Sequence, residues 1–355
     1  MSAIDYADGL NERKVSFALF RSALHQNDLS ASMGWEKSID KLATYLISPK
    51  TSKAYSDGLR DVYIDLTLHG NKMVRIYKLL GDYNTIIDLF KSEILEKGTI
   101  YDKRFPLPLE HDKLVTAPLK IHCVNYYESD DEISFVFCSK QYITERETLP
   151  LNSITDKVIN DFGEFDEVIG VRNRAVQLFD VISINKINKT VQIRMDGLDI
   201  QRIKDIEKRL KYLDEKTFHS LEKKIDLAKN FEGPLNFFPA IKKLYDNPDG
   251  RVAEIGHTTT SAGVHTGKMR TRQLDFRQDQ YHVGGAATVA SLNAHMLSKC
   301  WDSPSKHGNV QLVIPGRVAL TSAADPTIDI AYLLSCASDN DYNFLMTKLL
   351  ASLQP

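Results

Sequence analysis

The chain has 355 residues, with 43% hydrophobic and 26% charged side chains and a formal net charge of −2. These values are typical of a globular protein with a sizeable core, and the length is typical of two domains. Because 45 basic residues are balanced by 47 acidic ones, the composition excludes a uniformly basic nucleic-acid binder. Any binding of nucleic acid therefore requires a local basic patch.

The expected location is the cytoplasm. No apolar stretch reaches the roughly 18 residues of a membrane-spanning helix, and the first residues lack the pattern of a signal peptide. The 4 cysteines form no C-x-x-C pair, which is typical of buried thiols in a reducing compartment. We therefore expect a cytoplasmic protein without a membrane partner.

Helices dominate the predicted N-terminal third. The apolar spacing predicts helices over residues 9–25, 35–46, 72–80 and 85–95. Val62, Ile64 and Leu66 alternate with more polar residues, which predicts a strand over residues 61–68. Three prolines and weak periodicity predict an exposed linker over residues 99–118.

The middle of the chain combines β-hairpins with a long helix. One hairpin is predicted from residues 119–127 and 132–137, a second from residues 176–184 and 190–195, and one more strand over residues 167–171. An apolar stripe predicts a helix over residues 199–213. The stripe consists of Ile203, Ile206, Leu210 and Leu213. The apolar phase shifts at Asp214, where we expect a break or a helical hairpin. The stripe is interpreted as core, and the alternative is an oligomer contact through residues 199–230.

The C-terminal part mixes both element types. Strands are predicted over residues 251–255, 268–277 and 310–314, and helices over residues 235–245, 284–299 and 342–353. The whole pattern predicts an α/β or α+β fold with mixed sheets and helices. We divide it into a helix-rich α/β region, residues 1–110, and an α+β domain, residues 111–355. The second domain carries the hairpins, a helical segment at residues 199–245 and a basic, histidine-containing C-terminal region.

Residues 250–285 form the most unusual segment. Four cations occur there within ten residues, and Asp275 is the only acid among them. They are Lys268, Arg270, Arg272 and Arg277. On a strand the first three would share one face and follow a phosphate backbone, with the hydroxyls of residues 258–261 as further donors. The alternative is a solvated edge strand beside a loop.

Gly284 and Gly285 precede a predicted helix. Free amides and the helix dipole at such a start attract anions, which makes both glycines candidate phosphate-binding residues. The alternative is a tight turn or close packing against a neighbouring element.

Histidines in the same segment suggest a second kind of site. Imidazole and carboxylate groups are ligands for Zn, Mn or Fe, so His257, His265, Asp275 and His282 are candidate catalytic residues of a metal-dependent hydrolase. Asp279 is a further potential ligand. No compact motif such as H-E-x-x-H supports this alternative, and we expect no cofactor.

Several catalytic motifs are absent from the sequence. Residues 263–269 are one residue short of a P-loop, and Met269 stands where Ser or Thr should hold magnesium. There is no dinucleotide fingerprint and no nucleophile elbow. The acid-x-Lys letters of a nuclease occur only in predicted helices or at their break. No motif identifies a family.

The sequence therefore favours a protein that binds nucleic acid through its phosphates, with DNA and RNA both open. The broader hypothesis is an accessory or effector subunit in prokaryotic nucleic-acid metabolism or antiviral defence. Whether the chain is an enzyme is left open. The alternatives are a metal-dependent phosphoesterase or nuclease and a scaffold subunit that binds only protein.

Overall fold

Eleven strands form one continuous β-sheet in the computed structural model, which describes residues 3–149, 167–259 and 263–354. The strands are β1 (Lys72–Leu79), β2 (His122–Glu128), β3 (Glu132–Leu149), β4 (Val168–Asn185), β5 (Thr190–Met195), β6 (Phe231–Glu232), β7 (Arg251–Thr259), β8 (Val264–Lys268), β9 (Leu292–Asp302), β10 (Asn309–Ile314) and β11 (Ala331–Leu334). Their order is β2-β3-β4-β5-β1-β11-β10-β9-β7-β8, and β6 pairs with β1. Within these ranges every ladder between the strands is antiparallel. The strands β2 and β8 therefore lie at the two edges.

Eleven α-helices occur in the same described ranges, and four of them precede the first strand. They are α1 (Ala3–Glu12), α2 (Phe17–Gln26), α3 (Trp35–Ile47), α4 (Pro49–Leu68), α5 (Tyr83–Leu89), α6 (His111–Thr116), α7 (Ile203–Glu222), α8 (Leu227–Asn230), α9 (Phe238–Asp246), α10 (Gln280–Ala286) and α11 (Asp339–Leu353). The mixed class and the helix-rich N-terminal part are confirmed. None of the helices in the described part of the chain has both the length and the apolar character needed to cross a membrane.

The boundaries of the first helices differ from the prediction. The single helix predicted over residues 9–25 is two helices, α1 and α2, because Lys14 adopts a φ of 62° between them. The Ser16 hydroxyl then caps α2 by accepting a hydrogen bond from Leu19 N at 3.4 Å. The helix predicted over residues 35–46 is confirmed as α3.

The strand predicted over residues 61–68 and the helix predicted over residues 72–80 are both wrong. The first stretch is the end of α4, where Val62 and Leu66 are buried among the N-terminal helices. These residues are four apart, so the spacing that gave alternation also fits one helix face. The second stretch is β1, which is paired with β5 and β11. A strand that is buried on both faces lacks strict alternation, which hides its period.

Both predicted hairpins are confirmed, as β2 with β3 and β4 with β5. The strand predicted over residues 167–171 is the beginning of β4, which pairs with β3 over 18 residues. The helix predicted over residues 85–95 is α5, continued by one π-helical turn at Phe90–Ile94.

The helix predicted over residues 199–213 is α7, and it continues without the break expected at Asp214. The Asp214 carboxylate accepts hydrogen bonds from Arg75 Nη1 at 2.9 Å and from the Tyr77 hydroxyl at 2.8 Å. Asp214 therefore faces the sheet. It interrupts the apolar stripe in the sequence, but the helix continues through it. Three stripe residues are buried in the core of this chain and are unavailable to a partner. They are Ile206, Leu210 and Leu213.

The segment predicted as a linker, residues 99–118, has structure of its own. A 3₁₀ turn at Ile100–Lys103 and helix α6 bring Tyr101 and Leu114 into a buried cluster with residues of β3 and β4. Strand β1, from the N-terminal region, also pairs with strands from the later region. The division into residues 1–110 and 111–355 stays a prediction.

The C-terminal part corrects two further predictions. The helix predicted over residues 284–299 is largely β9, which pairs with β7 and β10. Residues 268–277 are not a strand, because β8 ends at Lys268 and the chain turns before a 3₁₀ helix at Phe276–Gln278. The other elements predicted there are confirmed. They are β7, β10, α9 and α11.

A network of charged side chains is buried at the centre of the sheet. The Asp196 carboxylate accepts a hydrogen bond from Arg13 Nη2 at 3.1 Å and lies 3.7 Å from Lys72 Nζ. Beside it, Asp180 accepts hydrogen bonds from Arg209 Nε at 2.8 Å and from Asp196 N at 2.9 Å. The network therefore connects the turn after α1 and the helix α7 to the sheet strands β1 and β4.

Candidate functional site

An open cleft of 980 Å³ lies at the β8 edge of the sheet and is lined by residues of β7, β8 and α10. The side chains there that carry chemistry are His257, His265, Lys268, Asp279 and His282. We call this space the histidine cleft. Three of the four predicted catalytic candidates line it, and Asp275 does not.

Strand pairing brings two histidines together in the cleft. His257 on β7 and His265 on β8 are register partners in an antiparallel ladder, so their side chains lie on the same face. Their ring centroids are 5.4 Å apart, and the rings are nearly parallel, with an angle of 22°. His257 is buried and His265 is exposed. The pair therefore presents one shielded and one solvated imidazole.

Helix α10 places the third histidine. The Asp279 side chain caps the helix by accepting a hydrogen bond from His282 N at 2.9 Å. The His282 ring lies 5.8 Å from that of His257 and 4.4 Å from that of Phe276. Its Nε2 atom is 2.7 Å from the Tyr245 hydroxyl. One ring nitrogen of His282 is thus committed to a protein partner.

Burial keeps the inner histidines neutral. Desolvation lowers the pKa of His257, and the neighbouring imidazoles lower it further. Desolvation also lowers the pKa of His282 and of His295, which lies on β9. Within the described ranges, Nδ1 of His257 and Nδ1 of His295 are buried without a hydrogen-bond partner. Protonation of these rings is therefore unfavourable near neutral pH.

The three cations predicted to share one strand face, Lys268, Arg270 and Arg272, do not do so. Only Lys268 lies on a strand, where its Nζ is 3.2 Å from the Glu254 carboxylate while the side chain stays 71% exposed. Arg270 is exposed in the turn that follows. Arg272 is also exposed, and its Nη1 donates to the Ser335 hydroxyl at 3.1 Å. Three cations therefore remain at the surface, one at the end of β8 and two in the turn that follows it.

Arg277 has a structural position instead. Its guanidinium pairs with the Asp275 carboxylate at 2.6 Å and donates to the backbone carbonyls of Tyr245 and Gly250. Asp275 also accepts from Val252 N at 3.2 Å and caps the 3₁₀ helix. The predicted phosphate site required the Arg277 guanidinium, and the predicted metal site required the Asp275 carboxylate. Both groups are occupied by these bonds within the protein. Neither Arg277 nor Asp275 is free to bind a ligand.

Gly284 and Gly285 lie near the end of α10, not at the start of a helix. The amides at the end of a helix donate within it, and the dipole there carries the negative sign. The physical argument for an anion site at these glycines therefore fails. Of the predicted hydroxyl cluster, Thr260 and Ser261 lie outside the described residues.

Two residues of this region were not predicted from the sequence. Tyr281 on α10 lines the cleft and is 89% exposed, and an exposed aromatic side chain has no periodic signal. His295 was assigned to a helix, and its position beside Gly256 depends on the pairing of β7 with β9. A Cβ atom on Gly256 would lie 2.7 Å from His295 Nε2.

The metal alternative has no support from the geometry. Nowhere in the described ranges do three His, Cys, Asp or Glu side chains form a group that could hold a metal ion. The cleft instead offers three imidazoles, one of them bonded to the Tyr245 hydroxyl, with an exposed ammonium group and an exposed aromatic ring. Neither a protein-family model nor a curated protein matches this chain.

Proposed function

We propose that the histidine cleft binds a single strand of nucleic acid. The observation that carries the proposal is one open cleft lined by an exposed ammonium group and an exposed aromatic ring, with further exposed cations in the turn that follows β8. Lys268 lines the cleft and Arg270 follows it in the chain, whereas Tyr281 comes from α10. Cations that contact phosphates, combined with an aromatic ring on which a base stacks, are typical of proteins that bind single strands.

The charge of the site sets the expected strength of binding. Arg277 is bound within the protein, so three cations remain for phosphates rather than four. Each phosphate contact on a single strand contributes a salt slope of about −0.7, so three contacts predict a slope of about −2. Binding should therefore be weak at physiological salt and clear at low salt.

The test is a fluorescence-anisotropy titration of labelled single-stranded RNA and DNA across a salt series. In the double variant Lys268→Ala, Arg270→Ala the slope should become shallower by about 1.4. Tyr281→Ala should lower affinity while leaving the slope unchanged, because stacking releases no counterions. The matched control is Lys208→Ala, Lys211→Ala, which removes two exposed charges from α7. Absence of binding at low salt, or equal losses in both double variants, would contradict the proposal.

A further inference from the structure

Two imidazoles in the histidine cleft have no hydrogen-bond partner among residues 3–149, 167–259 and 263–354. His282 bonds to the Tyr245 hydroxyl, and His295 does not line the cleft. His257 and His265 both line it, with centroids 5.4 Å apart. Lys268 lies three residues after His265 and lines the same space. A buried imidazole, an exposed imidazole and an ammonium group thus line the space where we place the nucleic-acid strand.

We propose that this site cleaves RNA by attack of a ribose 2′-hydroxyl on the adjacent phosphodiester. His257 is the general base, His265 the general acid, and Lys268 binds the phosphate oxygens. The inference rests on the proposed function, because the strand must first lie in the cleft. It adds a substrate class, since only RNA carries the 2′-hydroxyl.

The step balances without a further reactant. His257 takes the proton of the 2′-hydroxyl while the 2′-oxygen forms a bond to phosphorus. The bond from phosphorus to the 5′-oxygen breaks, and protonated His265 gives its proton to that oxygen. The products are a 2′,3′-cyclic phosphate and a 5′-hydroxyl, and one proton has passed from His265 to His257. Lys268 offsets the negative charge that grows on the phosphate oxygens.

The surroundings of the two rings fit these separate roles. A base must be unprotonated, and burial together with His265, His282 and His295 lowers the pKa of His257. An acid must acquire a proton from water, and His265 is exposed on the edge strand β8. The charged residues that line the cleft with them are Lys268 and Asp279.

The experiment measures cleavage of a labelled RNA strand in excess EDTA, with products identified by mass spectrometry. We expect a 2′,3′-cyclic phosphate from RNA, and no product from DNA or from RNA with 2′-O-methyl groups. His265→Gln should lower the rate at least about 100-fold while RNA affinity changes little. His257→Gln should do the same, and its melting temperature shows whether it is folded. His219→Gln, an exposed histidine on α7, is the matched control and should cleave like the wild type.

The outcomes separate the two proposals. Binding without cleavage overturns the catalytic inference and leaves nucleic-acid binding intact. Absence of binding overturns both. Equal cleavage by His265→Gln and the wild type assigns the activity to a contaminant, as does cleavage of the 2′-O-methyl strand. The exposed position of His265 makes its variant informative even where His257→Gln fails to fold.

Discussion

Gly267 on β8 packs so closely against Phe276 that a side chain at this position would overlap the aromatic ring. Phe276 in turn contacts His282, so its displacement would disturb the histidine cleft. We expect Gly267→Ala to lower the free energy of unfolding by about 1–3 kcal/mol, because overpacking forces neighbouring groups to move. Urea denaturation measures the change, and weaker RNA binding should accompany it.

Gly284 provides the matched control for this substitution. A Cβ atom there meets no atom within 4 Å, and the residue lies in a helix. Gly284→Ala should leave the free energy of unfolding unchanged or raise it by up to about 1 kcal/mol, because alanine favours the helix. If both substitutions lower the free energy of unfolding equally, the specific contact between Gly267 and Phe276 does not explain the loss. The cleft would then tolerate no added methyl group at either position.

The residue types in the sequence were enough to predict part of the site, but they could not show which side chains become bonded within the fold. His257, His265 and His282 were selected from one segment, and they do lie together. Arg277 was selected by the same charge pattern, but its carbonyl acceptors come from residues 245–250. A charge run does not reveal whether its members find partners after folding. Tyr281 belongs to no periodic or charge pattern in the sequence.

At the scale of elements, local periodicity predicted the hairpins and failed where long-range pairing decides the structure. The hairpins were found because each strand pairs with its neighbour in sequence across a recognisable turn. Strand β1 was mistaken for a helix, because it is a central strand whose partners β5 and β11 lie far along the chain. Strand β9 was also predicted as a helix, although its partner β10 follows it directly in the chain. Its second half is buried, with β7 and β10 on either side, so that half lacks strict alternation.

The strands β7 and β9 and the helix α10 carry three histidines whose pKa values are lowered, chiefly by burial. A histidine with a lowered pKa in the folded state binds fewer protons than in the unfolded chain. Stability is therefore lost as the pH falls through the unfolded value of 6.5 towards the folded values. We expect the free energy of unfolding to decrease between about pH 7.5 and about pH 5.5.

Substitution of one buried ring should weaken this acid sensitivity. His295→Gln removes a titrating group outside the cleft, so its stability should fall less than that of the wild type over the same pH interval. His219→Gln is exposed and should reproduce the wild-type slope. Urea titrations at both pH values measure the slopes. Stability that is constant or rises on acidification would contradict the burial of these rings.

The molecule as a whole is held at its centre by the charged network around Asp196. No spacing in the sequence relates Arg13, Lys72 and Asp196, which come from the turn after α1, from β1 and from the position after β5. Burial alone would raise the pKa of Asp196, but the charges of Lys72 and Arg13 and the Phe179 amide hold it well below its ordinary value. Burial lowers the pKa of Lys72 to about 8, against the opposing charge of Asp196.

Removal of the shared carboxylate should therefore cost far more than removal of one cation. Asp196→Ala leaves Arg13 and Lys72 buried without their anion, and we expect a loss of about 3–5 kcal/mol in the free energy of unfolding. Lys72→Met leaves Asp196 paired with Arg13 at 3.1 Å, so the loss should stay below about 2 kcal/mol. Asp130→Ala, in the exposed turn between β2 and β3, should change little.

The pH dependence gives an independent check on the same carboxylate. Because the pKa of folded Asp196 is depressed, its contribution is fully present above the unfolded value of 3.8 and is lost as the pH falls below it. The stability difference between the wild type and Asp196→Ala should thus shrink on acidification below about pH 4, whereas the difference between the wild type and Asp130→Ala should not. A difference that persists unchanged in acid would mean that Asp196 is not ionised in the fold. Hydrogen bonds rather than ionic contacts would then hold the central network together.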